Sequence, residues 1–346
     1  MKGQTSVEVS TMLPKKESTL KYKGVQKTSW IGFFVFTTIV LLFPIFVNES
    51  FYVTKATFAG IYAIVTIGLG MLMGYAGQIS LGQAAFYGVG AYVSAVLTTT
   101  YGLSPWISLF FSLLVPALLA FIMGYTMSRL NGYYLAMATL AFGIVVHTLL
   151  LEWRDVTKGA SGFYGIPQIR LFDYVLNQGL PYYYFVWGVA LLVIILSLNI
   201  VHSHIGRVLR SIHDSEVASS SIGVDTGKYK MQVFIFSAML AGLGGWLFAH
   251  MSYSISPSSF TLDMSIVFLT MVVLGGSGSV WGSVVGAIFI SVISIVVHNL
   301  GQRFTFITSD FEHVIFGLIL AAIIIFMPHG LVPLVSKWLA ARGRKK

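Results

Sequence analysis

The sequence predicts an all-α polytopic membrane protein of about ten transmembrane helices, some of them glycine-rich and either broken or closely packed. Three observations carry that expectation. Apolar residues make up 56% of the 346-residue chain and charged residues only 10%, a balance unlike that of a large soluble core. The apolar residues are gathered into runs of near membrane-spanning length. Lys and Arg are concentrated in alternate connections between those runs. With no cysteine in the chain, disulfides and thiolate metal sites are excluded from the start.

Residues 1–29 form a basic tail carrying Lys2, Lys15, Lys16, Lys21, Lys23 and Lys27. The apolar run behind it is too long for a signal-peptide core and lacks a small-residue cleavage site, so it reads as a retained first span. The runs lie at 30–47, 56–74, 79–99, 105–128, 132–151, 182–200, 231–251, 264–280, 282–299 and 313–331. Each is close to the roughly 20 residues a crossing helix needs. The transmembrane domain is therefore 30–333, interrupted by a polar loop at 201–230, and residues 334–346 are a second basic tail. A cytoplasmic N-terminus puts the central loop, after six spans, and the C-terminus, after ten, on the same side. Six Lys in the first tail, Arg129, four residues of the central loop and five of the last tail then face the cytoplasm, 16 of the 21 Lys and Arg. This is the asymmetry of the positive-inside rule. It orients the chain with both termini on the cytoplasmic side. The net charge of +9 sits at membrane edges with no basic fold between, which argues against a nucleic-acid partner.

No Asp, Glu, Lys or Arg falls in the middle of a span, and His147, His250 and His298 lie on different runs with no carboxylate or thiol companion. Proton- and sodium-coupled carriers place carboxylates at mid-membrane to bind the driving ion. Their absence argues against a secondary transporter and against a channel with a charged filter ring. The scattered histidines give no basis for an intramembrane enzyme, and no catalytic or metal site is expected.

Two stretches are dense in glycine: GYAGQISLG at 74–82 with its flanks, and LGGSGSVWG at 274–282. Four-residue spacings such as Gly70 with Gly74, or Gly282 with Gly286, allow close helix approach in lipid. The denser runs fit poorly into unbroken helix, and a broken helix leaves backbone groups that must face protein or a water-filled path. On the second reading Gly77, Gln78, Ser80, Gly82, Gln83 and Ser277 are the candidates for lining a solute pathway.

The central loop, VHSHIGRVLRSIHDSEVASSSIGVDTGKYKM from Val201 to Met231, is the longest strongly polar interruption. A short helix over 215–222 is expected inside it. Asp214 is placed to N-cap that helix, and Glu216 falls in its first turn, where the helix dipole favours an acid. Val217, Ala218, Ser221 and Ile222 share one side, and Gly223 can close it in the left-handed conformation. Two turns are too short to stand alone. The spacing fits equally a lever that another protein grips and a connector lying on its own bundle. The loop at 152–181, on the opposite face, could dock a soluble partner or cap the bundle.

Several motifs, in order and at matching intervals, resemble the LivM-type permeases of bacterial ATP-driven importers for branched-chain amino acids. They are GYAGQISLGQAAFYGVGAY (74–92), GYYLAMATLAFG (132–143), GASGFYGIP (159–167), the stretch 205–249, ISP (255–257), VVLGGSGSVWGSVVGA (272–287) and FMPHGL (326–331). The resemblance covers about residues 56–333. Two departures stand out: Ser219, Ser220 and Ser221 replace a more acidic or alanine-rich run, and Gln83 stands where a histidine is more frequent. The resemblance implies a permease subunit in a bacterial cytoplasmic (inner) membrane, paired with a second, related permease chain. Two cytoplasmic ATP-binding subunits would drive the pair, and an extracytoplasmic solute-binding protein would supply it. Helix 215–222 would be the coupling element, with Arg207, Arg210, Asp214 and Glu216 contacting the ATPase and Gly223 ending it. The chain itself needs no cofactor, since ATP would be bound by the partner subunits. In agreement, no GxxxxGK[ST] loop occurs; GVDTGKY at 223–229 has the wrong spacing and follows no strand. Urea or a short amide is the alternative cargo for the same mechanism. A stand-alone facilitator for a neutral solute is the alternative from another class.

Overall fold

The structure is a computed structural model that describes residues 33, 35–47, 49–127, 132–171, 174–303, 317 and 331. It divides at Asn48. The first unit contributes one short apolar helix, α1 (Val35–Phe46). In the second unit the chain runs through α2 (Ser50–Ala76), α3 (Gln83–Ala95), α4 (Pro105–Met127), α5 (Tyr133–Glu152), the single turn α6 (Arg154–Thr157), α7 (Leu180–His202), α8 (His204–Asp214), α9 (Glu216–Ser221), α10 (Thr226–Ser252), α11 (Leu262–Gly275) and α12 (Val280–Arg303).

Among the described residues a helix occupies each of the first nine apolar runs, and the tenth run lies almost wholly outside them. Only α2, α4, α5, α7, α10 and α12 are long and apolar enough to cross a bilayer. Among the described residues the expected count of ten spans is therefore not confirmed. Two of the apolar runs hold helices too short to cross, for a physical reason. α11 has 14 residues, and α3 has 13 before it continues as a π-helical turn over Val96–Thr100. Both begin or end at the glycine-rich stretches, which break the helix instead of extending it.

The α2 and α10 helices form the centre. Their most apolar windows are 78% and 72% buried, against 22% for α5 and 33% for α4, so the last two lie at the periphery. Glycines let the central helices touch backbone to backbone. A Cβ on Gly90 of α3 would lie 2.4 Å from the Gly242 carbonyl oxygen of α10, and one on Gly242 would lie 2.2 Å from the Ser112 carbonyl of α4. Pro116 has no N–H to give that Ser112 carbonyl, and Gly242 supplies a Cα surface against it. Close packing therefore accounts for most of the glycine enrichment.

At the end of the bundle opposite α8 and α9, the described parts of the 153–179 connection, 153–171 and 174–179, pack on the end of α10. There β1 (Phe163–Tyr164) pairs antiparallel with β4 (Ser254–Ile255), Phe163 opposite Ile255, while β2 (Arg170–Leu171) pairs with β3 (Tyr174–Val175). His250 near the end of α10 hydrogen-bonds the Pro167 carbonyl through Nδ1 at 2.7 Å and Ser94 Oγ through Nε2 at 2.9 Å. Gln178 donates to the Met251 carbonyl at 2.6 Å. The connection caps α10.

Candidate functional site: the 203–225 loop and the cleft at its base

The central loop is two helices, not one. Ser203 leaves α7 in an extended conformation and caps α8, its Oγ accepting from Ile205 N at 3.1 Å. The helix is strongly amphipathic: Val208, Leu209 and Ile212 are buried, while Arg207, His213 and Asp214 are exposed. The 205, 208, 209, 212 spacing was the signal for it in the sequence.

The short helix α9 forms where expected, with one correction. Asp214 is not its N-cap; it is the last residue of α8. Ser215 is extended and its Oγ accepts from Ala218 N at 3.2 Å. Both residue types cap well, so the one-residue difference is decided by how far α8 propagates. The helix runs over Glu216–Ser221 rather than 215–222. Gly223 ends it at φ 87°, with its own N–H on the Ser220 carbonyl and that of Val224 on the Ser219 carbonyl. Val217, Ala218, Ser221 and Ile222 all face outward; Val217 and Ile222 are 76% and 77% exposed. The buried side carries Ser219.

Of the five residues assigned to coupling, Arg207 and Asp214 are exposed and Gly223 terminates the helix. The other two are turned toward the bundle. Arg210 donates from Nη2 to the Val201 carbonyl at 3.1 Å and lies 5.5 Å over the Tyr75 ring at the end of α2. Glu216 is ion-paired with Lys230 of α10 and accepts from Thr226 Oγ1 at 3.3 Å. Sequence reasoning placed both at a rim; the structure makes them tethers. Lys230, Tyr75 and Ser215 were missed. Lys230 is 6% exposed, and a lysine flanking a span ordinarily reads as a solvated membrane-edge charge.

The six pathway candidates fall into separate places. Gly77 closes α2 at φ 66°, and a Cβ there would come 3.1 Å from His213 Nδ1 of α8. Gln78 is beside it, and both line a cleft of about 250 Å³ with Leu135, Ile212, Asp214, Glu216 and Lys230. These two candidates therefore adjoin the coupling loop. Ser80 and Gly82 lie against α5: Leu81 N donates to Thr139 Oγ1 at 3.0 Å, Gly82 N faces Ser80 Oγ at 3.4 Å, and a Cβ on Gly82 would sit 2.7 Å from the Thr139 carbonyl. Gln83 is buried, its Nε2 donating to the Ser237 carbonyl and Oγ of α10, both at 3.2 Å. Ser265 of α11 takes the next free N–H, from Ala84, at 3.0 Å. Ser277 lies in the 276–279 turn, and its carbonyl packs on Gly74 of α2. Both glycine-rich stretches are broken helices, one of the two readings the sequence left open, and the backbone groups named here are met by protein. Among the described residues no cluster of three His, Cys, Asp or Glu could hold a metal.

With that geometry in hand, comparison with known proteins decides the family. Residues 51–327 match the family model for the permease component of the branched-chain amino acid transport system. The chain belongs to that permease family. It is 33% identical to the high-affinity branched-chain amino acid transport system permease protein LivM of Escherichia coli K12, over 84% of this chain and 73% of the relative. It is 22% identical to a probable branched-chain amino acid transport permease protein LivM of Methanocaldococcus jannaschii, over 79% and 91% of the two chains. The permease protein LivH of Salmonella typhimurium, from the same kind of transport system, is 21% identical over 84% and 96%. No solved structure matches. The family assignment, with six helices among the described residues long and apolar enough to cross a bilayer, makes the chain a multi-pass membrane permease.

Proposed function

We propose that the chain is one permease subunit of an ATP-driven importer for leucine, isoleucine and valine, with the 203–225 loop in the cytoplasm. The family and the LivM relatives support the cargo. The match to LivH as well as LivM supports pairing with a second, related permease chain. The distribution of Lys and Arg supports a cytoplasmic loop and cytoplasmic termini. On this reading ATP is hydrolysed by two partner subunits, and a solute-binding protein delivers to the face capped by the 153–179 connection.

The observation that carries the coupling role is the construction of α9. Its outer side presents Val217 and Ile222 to solvent, each worth about 1.5–3 kcal/mol when buried. Its inner side is tied to α10 through Glu216, and α8 is tied to α2 through Arg210. A surface that gains by being covered, mounted on ties to the central helices, is what a partner needs to move them. Val217→Asp with Ile222→Asp in the reconstituted complex tests this. Loss of the ATPase subunits on purification, or ATP hydrolysis no longer matched by leucine uptake, is expected. Retained association with full coupling would refute it, and leucine transport by the purified chain alone, without ATP, would establish a facilitator instead.

A further inference from the structure

Beneath the 153–179 connection, α3, α10 and α11 enclose a knot of aromatic rings, and the ring at its centre comes from none of the three. Phe260 ends the 3₁₀ turn Pro257–Phe260, which joins β4 to α11. Its ring is buried, 5.4 Å from Tyr87 and 5.8 Å from Tyr92, both of α3, and 5.8 Å from Phe248 of α10. Phe268 of α11 closes the other side of Tyr87 at 5.5 Å. Gly88 is the seat: a Cβ there would come 3.0 Å from the Phe260 Cβ. Tyr92 also meets Phe163 of β1 at 6.1 Å, so the knot continues into the connection above it.

Two features set this turn apart. Among the described residues no hydrogen bond joins 257–260 to α3 or α10; Ser256 Oγ bonds Ser258 Oγ and Ser259 N donates to the Ser256 carbonyl, both within the turn. Ring contact holds it, and ring contact is non-directional enough to be left and regained. The second feature is the pair of tyrosines that receives the ring. They are 1% and 3% exposed, and neither hydroxyl has a hydrogen-bond partner among the described residues. A buried phenol ordinarily finds one, and phenylalanine would fill the same space with no group left unmet. Each orphaned hydroxyl therefore weighs against the seated arrangement by about tenfold in the equilibrium. Withdrawal of Phe260 opens the space around both rings to water or to a passing solute, and the penalty disappears.

We propose that the 256–261 turn is a gate on the solute-receiving face, with Phe260 as its plug and Tyr87 and Tyr92 as the passage residues that the plug covers. The inference rests on the proposed function for which face receives the solute and for leucine as the probe. The hydroxyls work against the closed state, so the gate is poised rather than locked. One wall of the seat, Phe248, stands on α10, the helix tied to α9 through Lys230. A shift of α10 against α3 therefore alters the fit of the plug.

The chain has no cysteine, so Gly88→Cys with Phe260→Cys creates a single pair. Their Cβ atoms reach disulfide distance after a shift of about half an ångström. In the complete importer, reconstituted with its ATPase subunits and binding protein, oxidation should lower leucine uptake at least tenfold and reductant should restore it. Tyr87→Phe with Tyr92→Phe tests the sign of the hydroxyl effect. Hydrogen exchange at residues 258–260 should slow at least tenfold, with thermal stability kept or raised, and uptake should fall several-fold because the gate opens less often. Hydroxyls with only a structural role would give the reverse, faster exchange and a lower melting temperature. Uptake unchanged by a formed disulfide, or exchange in the double variant that is unchanged or faster, would overturn the gate. Wild-type uptake that requires ATP and binding protein tests the importer reading. The exchange measurement needs no transport, so either can fail while the other stands.

Discussion

Two helical glycines offer opposite outcomes for the same substitution, and the contrast tests the packing directly. A Cβ on Gly74 of α2 would lie 1.7 Å from the carbonyl oxygen of Ser277 and 2.3 Å from its carbon. Carbon atoms in ordinary contact are about 3.5 Å apart, so α2 and the 276–279 turn would have to separate by roughly 1.5–2 Å. Both opposing atoms are backbone, and no rotamer change relieves the overlap. Overpacking costs typically about 1–3 kcal/mol, and we expect Gly74→Ala near the upper end. Gly188 of α7 is exposed, with nothing within 4 Å of its would-be Cβ. There the same change should stabilise by about 0.5–1 kcal/mol, because alanine loses less backbone entropy in a helix. The two variants should differ by roughly 3–4 kcal/mol, a few hundred-fold in the unfolding equilibrium. Denaturant titration of the purified chain in mixed micelles reads that difference. A Gly74→Ala protein as stable as Gly188→Ala would refute the close approach of the two broken segments.

Ser215→Ala should remove the cap of α9 and cost it about 1 kcal/mol, seen as about fivefold faster hydrogen exchange at residues 218–221. Asp214→Ala should leave that exchange unchanged. His250→Ala deletes a buried bridge between Ser94 and the Pro167 carbonyl and leaves that carbonyl without its donor, at about 1–3 kcal/mol. Protease cleavage within 162–179 should then accelerate at least severalfold. Glu216→Gln replaces the carboxylate that holds Lys230. ATP hydrolysis in the reconstituted complex should persist while leucine moved per ATP falls several-fold, and unchanged stoichiometry would count against the tether.

Much of this arrangement was legible before any coordinates. Apolar run length located nine helices, because a crossing helix must satisfy its backbone internally and cover it with apolar side chains. That Val217, Ala218, Ser221 and Ile222 share one side of α9 followed from 3.6-residue spacing, but whether that side faced solvent or the bundle did not. What stayed hidden was direction. Arg210 and Glu216 read as surface charges, since nothing in their sequence neighbours reveals Tyr75, 135 positions away, or Lys230 on the next helix. Amphipathicity over 205–212 was equally present in the sequence, but the polar character of the whole loop masked it. Gly77 and Gln78 were grouped with Gly82 and Gln83 by adjacency. The break in the helix separates them, sending the first pair to the loop and the second into the core.

The ties of the loop converge on the two helices least able to move independently. α8 is fixed to the end of α2 by Arg210 over Tyr75 and by the contact of His213 with Gly77. α9 is fixed to the start of α10 by Glu216, only fourteen residues before its partner Lys230. A change of angle between α8 and α9, which meet at the single extended residue Ser215, must therefore shift α2 against α10 or break a tie. α10 is 27 residues long, about 40 Å at 1.5 Å per residue, and near its other end His250 and Met251 hold the 153–179 cap. α2 in turn bears the 276–279 turn against Gly74. On the proposed function, a partner that displaced Val217 would act on the opposite face along one continuous helix, and on the second broken segment along another. The glycine contacts add a constraint. They leave no slack between backbones, so the motion that survives is a sliding or tilting of whole helices rather than a local yielding of side chains.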